Sequence, residues 1–237
     1  MQTIIIRTIC FVILVLLLPG CANNMGRLAL TPKTKSIAVT EKSIALLVFD
    51  VSNENKPGYQ PWLRQASISR DMPGKSAKRG WNFLVNKSTA REVDGVKRHL
   101  LTLSLSPGKY DTASLLCGYE IPIIFGSSAN LFLKTEFDVP ASSVVYLGHI
   151  RAIVKKRNSE TELRAGPMFP LIDQAVAGFS NGTWAVSVED DYEKDIQALQ
   201  AEFPVLRGCK IEKSVMPSST TPEADPYPMG SRPRFKP

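Results

Sequence analysis

Short runs of alternating apolar and polar residues, separated by turn residues, recur along most of this chain of 237 residues. In residues 97–106, for example, Leu101, Leu103 and Leu105 alternate with hydroxyl-bearing residues. Successive side chains of a β-strand point to opposite faces, so this spacing predicts strands with one apolar face. The predicted strands cover residues 43–51, 66–70, 81–86, 97–106, 110–120, 130–139, 143–155, 161–165 and 182–189. Many short strands at short intervals are typical of a mainly β fold, an antiparallel β-sandwich, with closure into a barrel as the alternative.

Three segments allow more detailed expectations. Residues 43–51 are almost continuously apolar, which predicts a central strand buried on both faces. The turn at residues 106–109 has Pro second and Gly third, the type II pattern, so residues 110–120 are expected to return as the next strand. Residues 161–165 are expected to pair with residues 143–155. One face of that longer strand is expected to carry Val144, Tyr146, Gly148 and Ile150.

Helical signals are confined to the C-terminal part of the chain. Residues 191–203 carry Ile196, Leu199 and Phe203 at helical spacing, and Asp190 or Asp191 is expected to cap the first turn. Residues 171–177 are a second, shorter candidate. We therefore expect one C-terminal helix beside the strands.

The N-terminal segment combines a short apolar run, residues 9–18, with the motif Leu18-Pro19-Gly20-Cys21. A membrane span needs about 20 apolar residues, whereas about ten is the size of a signal-peptide core. The motif resembles the lipobox of bacterial lipoproteins that are cleaved by signal peptidase II. In that family the cysteine receives a diacylglyceryl group, and an acyl chain such as palmitate, and the chain is cut before it. The resemblance implies a mature protein that begins at Cys21. Plain secretion and a retained anchor are the alternatives.

The resemblance also implies a location. In enteric bacteria an Asp after the lipidated cysteine commonly retains lipoproteins in the inner membrane, whereas Ala22 stands here. The expected location is therefore the bacterial cell envelope, more the outer than the inner membrane, facing the periplasm or the exterior. The expected organisation is a signal peptide (1–20), a tether (21–35), a β-sandwich domain (36–212) and a disordered Pro-rich tail (213–237).

Two further cysteines, Cys117 and Cys209, remain in the predicted mature chain. An even pair in an oxidising compartment predicts a disulfide between them. The alternative is that the two thiols pack separately as small apolar side chains.

The motifs of common catalytic and metal sites are missing from the sequence. There is no GxSxG elbow or CxxC pair, and Gly74-Lys75-Ser76 lacks the first glycine of a phosphate-binding loop. His99 and His149 stand singly, so we expect no metal site, no cofactor and no enzyme activity. The net charge of +7 favours contact with anionic lipid or polymer, and no nucleic-acid-binding motif accompanies it.

Three short motifs carry a second resemblance. Residues 106–110, 137–141 and 145–150 follow an order that resembles carboxypeptidase-regulatory-like and PEGA-type β-sandwich domains of uncharacterised proteobacterial lipoproteins. The resemblance implies a fold and an envelope setting, and no catalytic residues.

Together these features predict a non-catalytic envelope lipoprotein, a tethered interaction or structural module. Its expected partners are the membrane, through the N-terminal lipid, and an envelope protein or anionic envelope polymer. The alternative is a carrier that binds a small apolar or lipid ligand within the β domain, because many strands present large apolar residues.

Overall fold

The alternating segments form two sheets that pack face to face in a computed structural model, which describes residues 25–39, 41–71, 79–120, 126–168, 171–217 and 222–223. Sheet A has the order β1-β4-β3-β7-β8-β12. Its strands are β1 (Met25–Arg27), β3 (Trp62–Arg70), β4 (Arg79–Leu84), β7 (Gly108–Tyr119), β8 (Ser127–Val139) and β12 (Pro222–Glu223). The predicted mainly β sandwich is therefore confirmed.

Sheet B has the order β10-β9-β2-β6-β5, and β11 pairs with β9 in addition. Its strands are β2 (Ser43–Asn53), β5 (Arg91–Val93), β6 (Val96–Leu105), β9 (Val144–Lys156), β10 (Gly182–Glu189) and β11 (Ile211–Lys213). The two central strands, β2 and β9, run parallel, so sheet B is mixed rather than purely antiparallel.

Two α-helices accompany the sheets in the described part of the chain. Helix α1 (Leu171–Val176) lies at one end of the sandwich, and helix α2 (Tyr192–Glu202) packs on the outer face of sheet B. Both were expected from the sequence. Among the described residues, neither helix is long and apolar enough to cross a membrane.

The main core fills the space between the sheets. Leu63, Leu115 and Leu131 from sheet A meet Leu47 and Leu103 from sheet B, and all five are fully buried. Burying a side chain of this kind contributes roughly 1.5–3 kcal/mol.

A second cluster lies between sheet B and α2. It includes Leu46 and Tyr146 from the sheet and Leu199 from the helix. Strand β2 contributes to both clusters, which confirms the expected central strand buried on both faces.

Two expectations about strand pairing are wrong. Strands β6 and β7 do not pair, because the turn at Pro107 carries the chain from sheet B to sheet A, with Gly108 at a φ of 135°. Residues 161–165 form no strand, and β10 pairs with β9 instead. Turn residues indicate where the chain changes direction, and they do not indicate which sheet it enters next.

Both ends of the described chain connect the two sheets. After β1 has paired with β4, the amide of Ala29 donates to Thr102 O in sheet B. At the other end, β11 pairs with β9, and Ser214 Oγ accepts from the amide of Asp138 in sheet A. Met216 follows and is only 2% exposed. The folded domain therefore begins within the predicted tether and extends into the predicted tail, whereas Cys21 and its motif lie outside the described residues.

Candidate functional site

A β-bulge at Gly148 determines which side chains of β9 face helix α2. The three residues of β2 from Leu46 to Val48 are matched by four residues of β9, from Tyr146 to His149. Gly148 accommodates the extra residue with a φ of 115°, which favours glycine. As a result, Tyr146 and His149 lie on the same face of the sheet.

The bulge overturns the predicted alternation of this strand. Tyr146 belongs to the cluster under α2, whereas Ile150 belongs to the main core between the sheets. The expected single face with Val144, Tyr146, Gly148 and Ile150 is therefore wrong beyond Gly148, because one inserted residue exchanges the two faces.

His149 is enclosed between carboxylates and is only 1% exposed. Its Nδ1 lies 3.0 Å from Asp195 Oδ1 on α2, and its Nε2 lies 3.0 Å from Asp50 Oδ2 on β2. The first contact is a well-formed hydrogen bond, and the second is an ion pair without good hydrogen-bond alignment. Asp191 Oδ2 lies 3.7 Å from Nδ1.

Two arginines complete this cluster. The guanidinium of Arg98 donates twice to the Asp50 carboxylate, at 2.8 and 2.7 Å. Arg151 donates to Asp50, to Asp191 and to Glu189. We refer to these side chains as the charge network: Asp50, Arg98, His149, Arg151, Glu189, Asp191 and Asp195.

The acidic and basic side chains of the network stabilise one another in their charged forms. Burial acts to lower the pKa of His149, but the hydrogen bond with Asp195 and the negative charges of Asp195 and Asp50 outweigh burial and raise that pKa. Burial opposes ionisation of Asp50, yet Arg98 and His149 hold the pKa of its carboxyl well below the usual range. An imidazolium fixed between two carboxylates is a poor general base. The arrangement fits a structural role, in which the network attaches the first turns of α2 to sheet B.

Asp191 was one of the two residues expected to cap helix α2, but its side chain has a different partner. It stands at the N-cap position, but its side chain makes no capping hydrogen bond and binds Arg151 instead. In the sequence His149 stands singly, and its spacing does not indicate its burial between carboxylates. The closest sequence signal for its carboxylate partners is Asp50, a lone charge at the end of the apolar run of β2.

A pocket of about 560 Å³ lies on the side of the sandwich where β4 and β6 approach each other. Its apolar wall includes Leu30, Val85, Leu100 and Phe203. Arg27, Arg91 and Glu202 provide charges around this wall. We call this feature the side pocket.

A small exposed apolar surface surrounds α1. Ile172 is 69% exposed, and Val176, one helical turn further on, is 37% exposed. Met168, just before the helix, is 56% exposed. We call these three residues the apolar patch.

The structure does not form the predicted disulfide. Cys117 is a free thiol in the main core, whereas Cys209 is a free, half-buried thiol beside the cluster under α2. Sheet B separates the two clusters, so the thiols pack individually. Within the described ranges, no group of three or more His, Cys, Asp or Glu side chains is arranged to hold a metal ion.

No family model matches this sequence, and comparison with curated proteins and with solved structures gave no match. The geometry of the network, the side pocket and the apolar patch is therefore what bears on function.

Proposed function

We propose that this protein is a non-catalytic lipoprotein of the bacterial envelope that contacts a partner protein through the apolar patch. The observation that carries the proposal is the exposure of Ile172 and Val176 on one face of α1, because contiguous exposed apolar surface on a soluble domain is a common mark of an interaction site. The lipobox-like motif ending at Cys21 supplies the membrane anchor in this proposal.

The position of the patch supports display away from a membrane. Strand β1 runs parallel to β4, and β4 ends beside the start of β3. Helix α1 lies at that same end, where Gln174 contacts Ser128. Strand β1 therefore runs toward the end of the sandwich that carries the patch, so the described chain enters the fold at Met25 from the opposite direction.

The charges around the patch indicate the chemistry of the partner. Lys56 lies against Gly178, just after α1, and Lys156 pairs with Gly182 at the adjacent end of β9. Both lysines are exposed, and within the part of the chain that the structure describes neither has an ionic partner. An apolar surface beside unpaired cations suits a protein partner whose apolar contact is bordered by acidic side chains.

Site-specific photocrosslinking in cells tests the contact. A photoreactive residue at position 172 is expected to crosslink one envelope protein, and the same residue at Lys134, which is exposed on β8, is expected not to. Lys56→Glu should reduce the crosslink, and reversing an acidic charge on the partner should restore it. Equal crosslinking from both positions would contradict the proposal.

The anchor requires a separate test. Inhibition of signal peptidase II, or a Cys21→Ser substitution, should leave a longer, uncleaved chain. An unchanged size and an unchanged distribution between membrane and soluble fractions would contradict lipidation at Cys21.

The side pocket favours a second candidate function, a carrier of a small apolar or lipid ligand. Its volume of about 560 Å³ lies within the range of roughly 300–1,000 Å³ that is common for small-molecule sites. Native mass spectrometry of protein purified under mild conditions tests this function directly, because a carrier is expected to retain its ligand.

A further inference from the structure

We propose that the side pocket binds a single-chain anionic amphiphile, with the apolar chain against Leu84 and Leu100 and the anionic head group at Arg27. This inference rests on the carrier function proposed above and specifies its ligand. It is independent of the apolar patch, which lies on another part of the molecule.

The apolar wall of the pocket comes from three separate parts of the chain. Leu30 belongs to the N-terminal segment, Val85 follows β4, and Phe203 ends α2. Leu30, Val85 and Phe203 are at most 5% exposed, so they form a fixed base, and the apolar surface open to a ligand comes from half-exposed Leu84 and partly buried Leu100. A wall of this kind suits an alkyl chain, which needs no hydrogen-bond partners.

The charges at the pocket leave one cation without a partner. Arg91 is neutralised by Glu202, whose carboxylate accepts two hydrogen bonds from it at 2.7 and 2.9 Å. Arg27 is exposed and has no ionic partner among the residues that the structure describes. A ligand with one negative charge would balance Arg27, and a guanidinium can bind a carboxylate or a phosphate through two hydrogen bonds.

The pocket would lie close to a membrane if Cys21 is lipidated. Arg27 follows Cys21 by six positions, and an extended chain covers at most about 3.5 Å per residue, so the two residues are about 20 Å apart or less. Amphiphiles that leave a bilayer would therefore be available to the pocket. The acyl chains of Cys21 itself are the competing occupant.

A fluorescent fatty-acid displacement assay tests the ligand class. The protein is the chain from residue 22 onward, which contains every strand and helix described above. Oleate is compared with monooleoylglycerol, which has the same chain and no charge. We expect oleate to bind more tightly, and its advantage to shrink as salt is added.

Three substitutions test the head-group site at Arg27 and the apolar wall independently of each other. Arg27→Gln should raise the dissociation constant for oleate about three- to fivefold and leave that for monooleoylglycerol unchanged. Leu84→Gln should weaken both ligands alike. Lys134→Gln removes one positive charge from the far side of sheet A and should change neither. Absence of oleate binding, or equal effects of Arg27→Gln and Lys134→Gln, would overturn the proposal.

The source of the ligand is determined by native mass spectrometry of mature protein extracted from membranes. A bound mass equal to a fatty acid or to a lysophospholipid supports the proposal and distinguishes the two sources. A mature protein that excludes oleate while the unacylated chain binds it would assign the pocket to the acyl chains of Cys21 and overturn the proposal. If a carried ligand is found but is neutral, the carrier function stands and only this inference fails.

Discussion

His149 is the residue on which the charge network depends most, because both of its ring nitrogens face carboxylates. We expect His149→Gln to lower the free energy of unfolding by about 3 kcal/mol, because the substitution removes the imidazolium that pairs with buried Asp195, whereas Asp50 keeps Arg98 and Arg151. Urea unfolding measures the loss. An additional Asp195→Asn substitution should recover part of it, and a loss below 1 kcal/mol at pH 6 would contradict the assigned role.

The same residue predicts a pH dependence. A raised pKa means that the folded protein binds the His149 proton more tightly than the unfolded chain does. The stabilisation is therefore complete below the ordinary pKa of 6.5, and it is lost as the pH rises through the folded-state pKa. The difference between wild type and His149→Gln should accordingly be largest in mildly acidic solution and shrink at alkaline pH.

His99 predicts the opposite behaviour. It is fully buried between the sheets, where Nε2 accepts a hydrogen bond from the amide of Leu63 at 3.1 Å, and burial lowers its pKa to about 4. Between pH 6.5 and 4 only the unfolded chain binds this proton, so stability should fall by about 3 kcal/mol as the pH decreases through that window.

His99→Gln retains a hydrogen-bond acceptor and removes the titration. We expect its unfolding free energy to decrease less than that of the wild type between pH 6.5 and 4. The His149→Gln variant serves as the matched control, because it keeps His99 and should keep the acidic loss. Parallel pH profiles of wild type and His99→Gln would contradict this account.

Among the elements, β9 depends on one glycine. Gly148 has a φ of 115°, and an added Cβ would approach side chains of Val215 and Val188 at 3.2 and 3.3 Å. We expect Gly148→Ala to cost about 1–3 kcal/mol, because a non-glycine residue is strained at this angle. Gly58→Ala is the control, since an added Cβ there meets nothing within 4 Å.

The urea concentration at the midpoint of unfolding is measured for both glycine variants. The backbone amide NMR signals of His149 and its neighbours serve as a local probe. Gly148→Ala should also disturb the charge network, because the bulge is what directs His149 toward α2. Equal stability of the two variants would show that the bulge tolerates a side chain.

The contrast between β8 and β9 shows when the sequence alone predicts which side chains of a strand face the core. Strand β8 keeps the strict alternation that predicts a strand, and its face with Leu131, Leu133, Thr135, Phe137 and Val139 is buried throughout. Strand β9 could not be assigned in the same way, because both of its faces are covered and its bulge depends on the register with β2. The charge network was missed for the same reason, since it requires residues of β2, β6, β9, β10 and α2 to meet.

For the molecule as a whole, the two ends of the described chain close the sides of the sandwich. The N-terminal part pairs with the edge strand β4, and the C-terminal part pairs with β8 and β9. Unpaired strand edges promote association with other chains. Both ends therefore belong to the fold, although their compositions resemble linkers.

A comparison of two truncated chains tests the closure at the C-terminus. Both begin at residue 22; one ends at Pro217 and the other at Lys210, so only the longer one retains β11 and Met216. Truncating a buried Met side chain alone typically costs about 2–5 kcal/mol. For a domain of this size, about 2 kcal/mol corresponds to a Tm lower by about 4–8 °C. The shorter chain should also associate at high concentration, because the first residues of β9 keep β2 on one side but lose β11 on the side that β10 does not reach. Thermal unfolding and size-exclusion chromatography measure the two effects. If both truncated chains have the same Tm and both are monomeric, the sandwich is closed without residues 211–217.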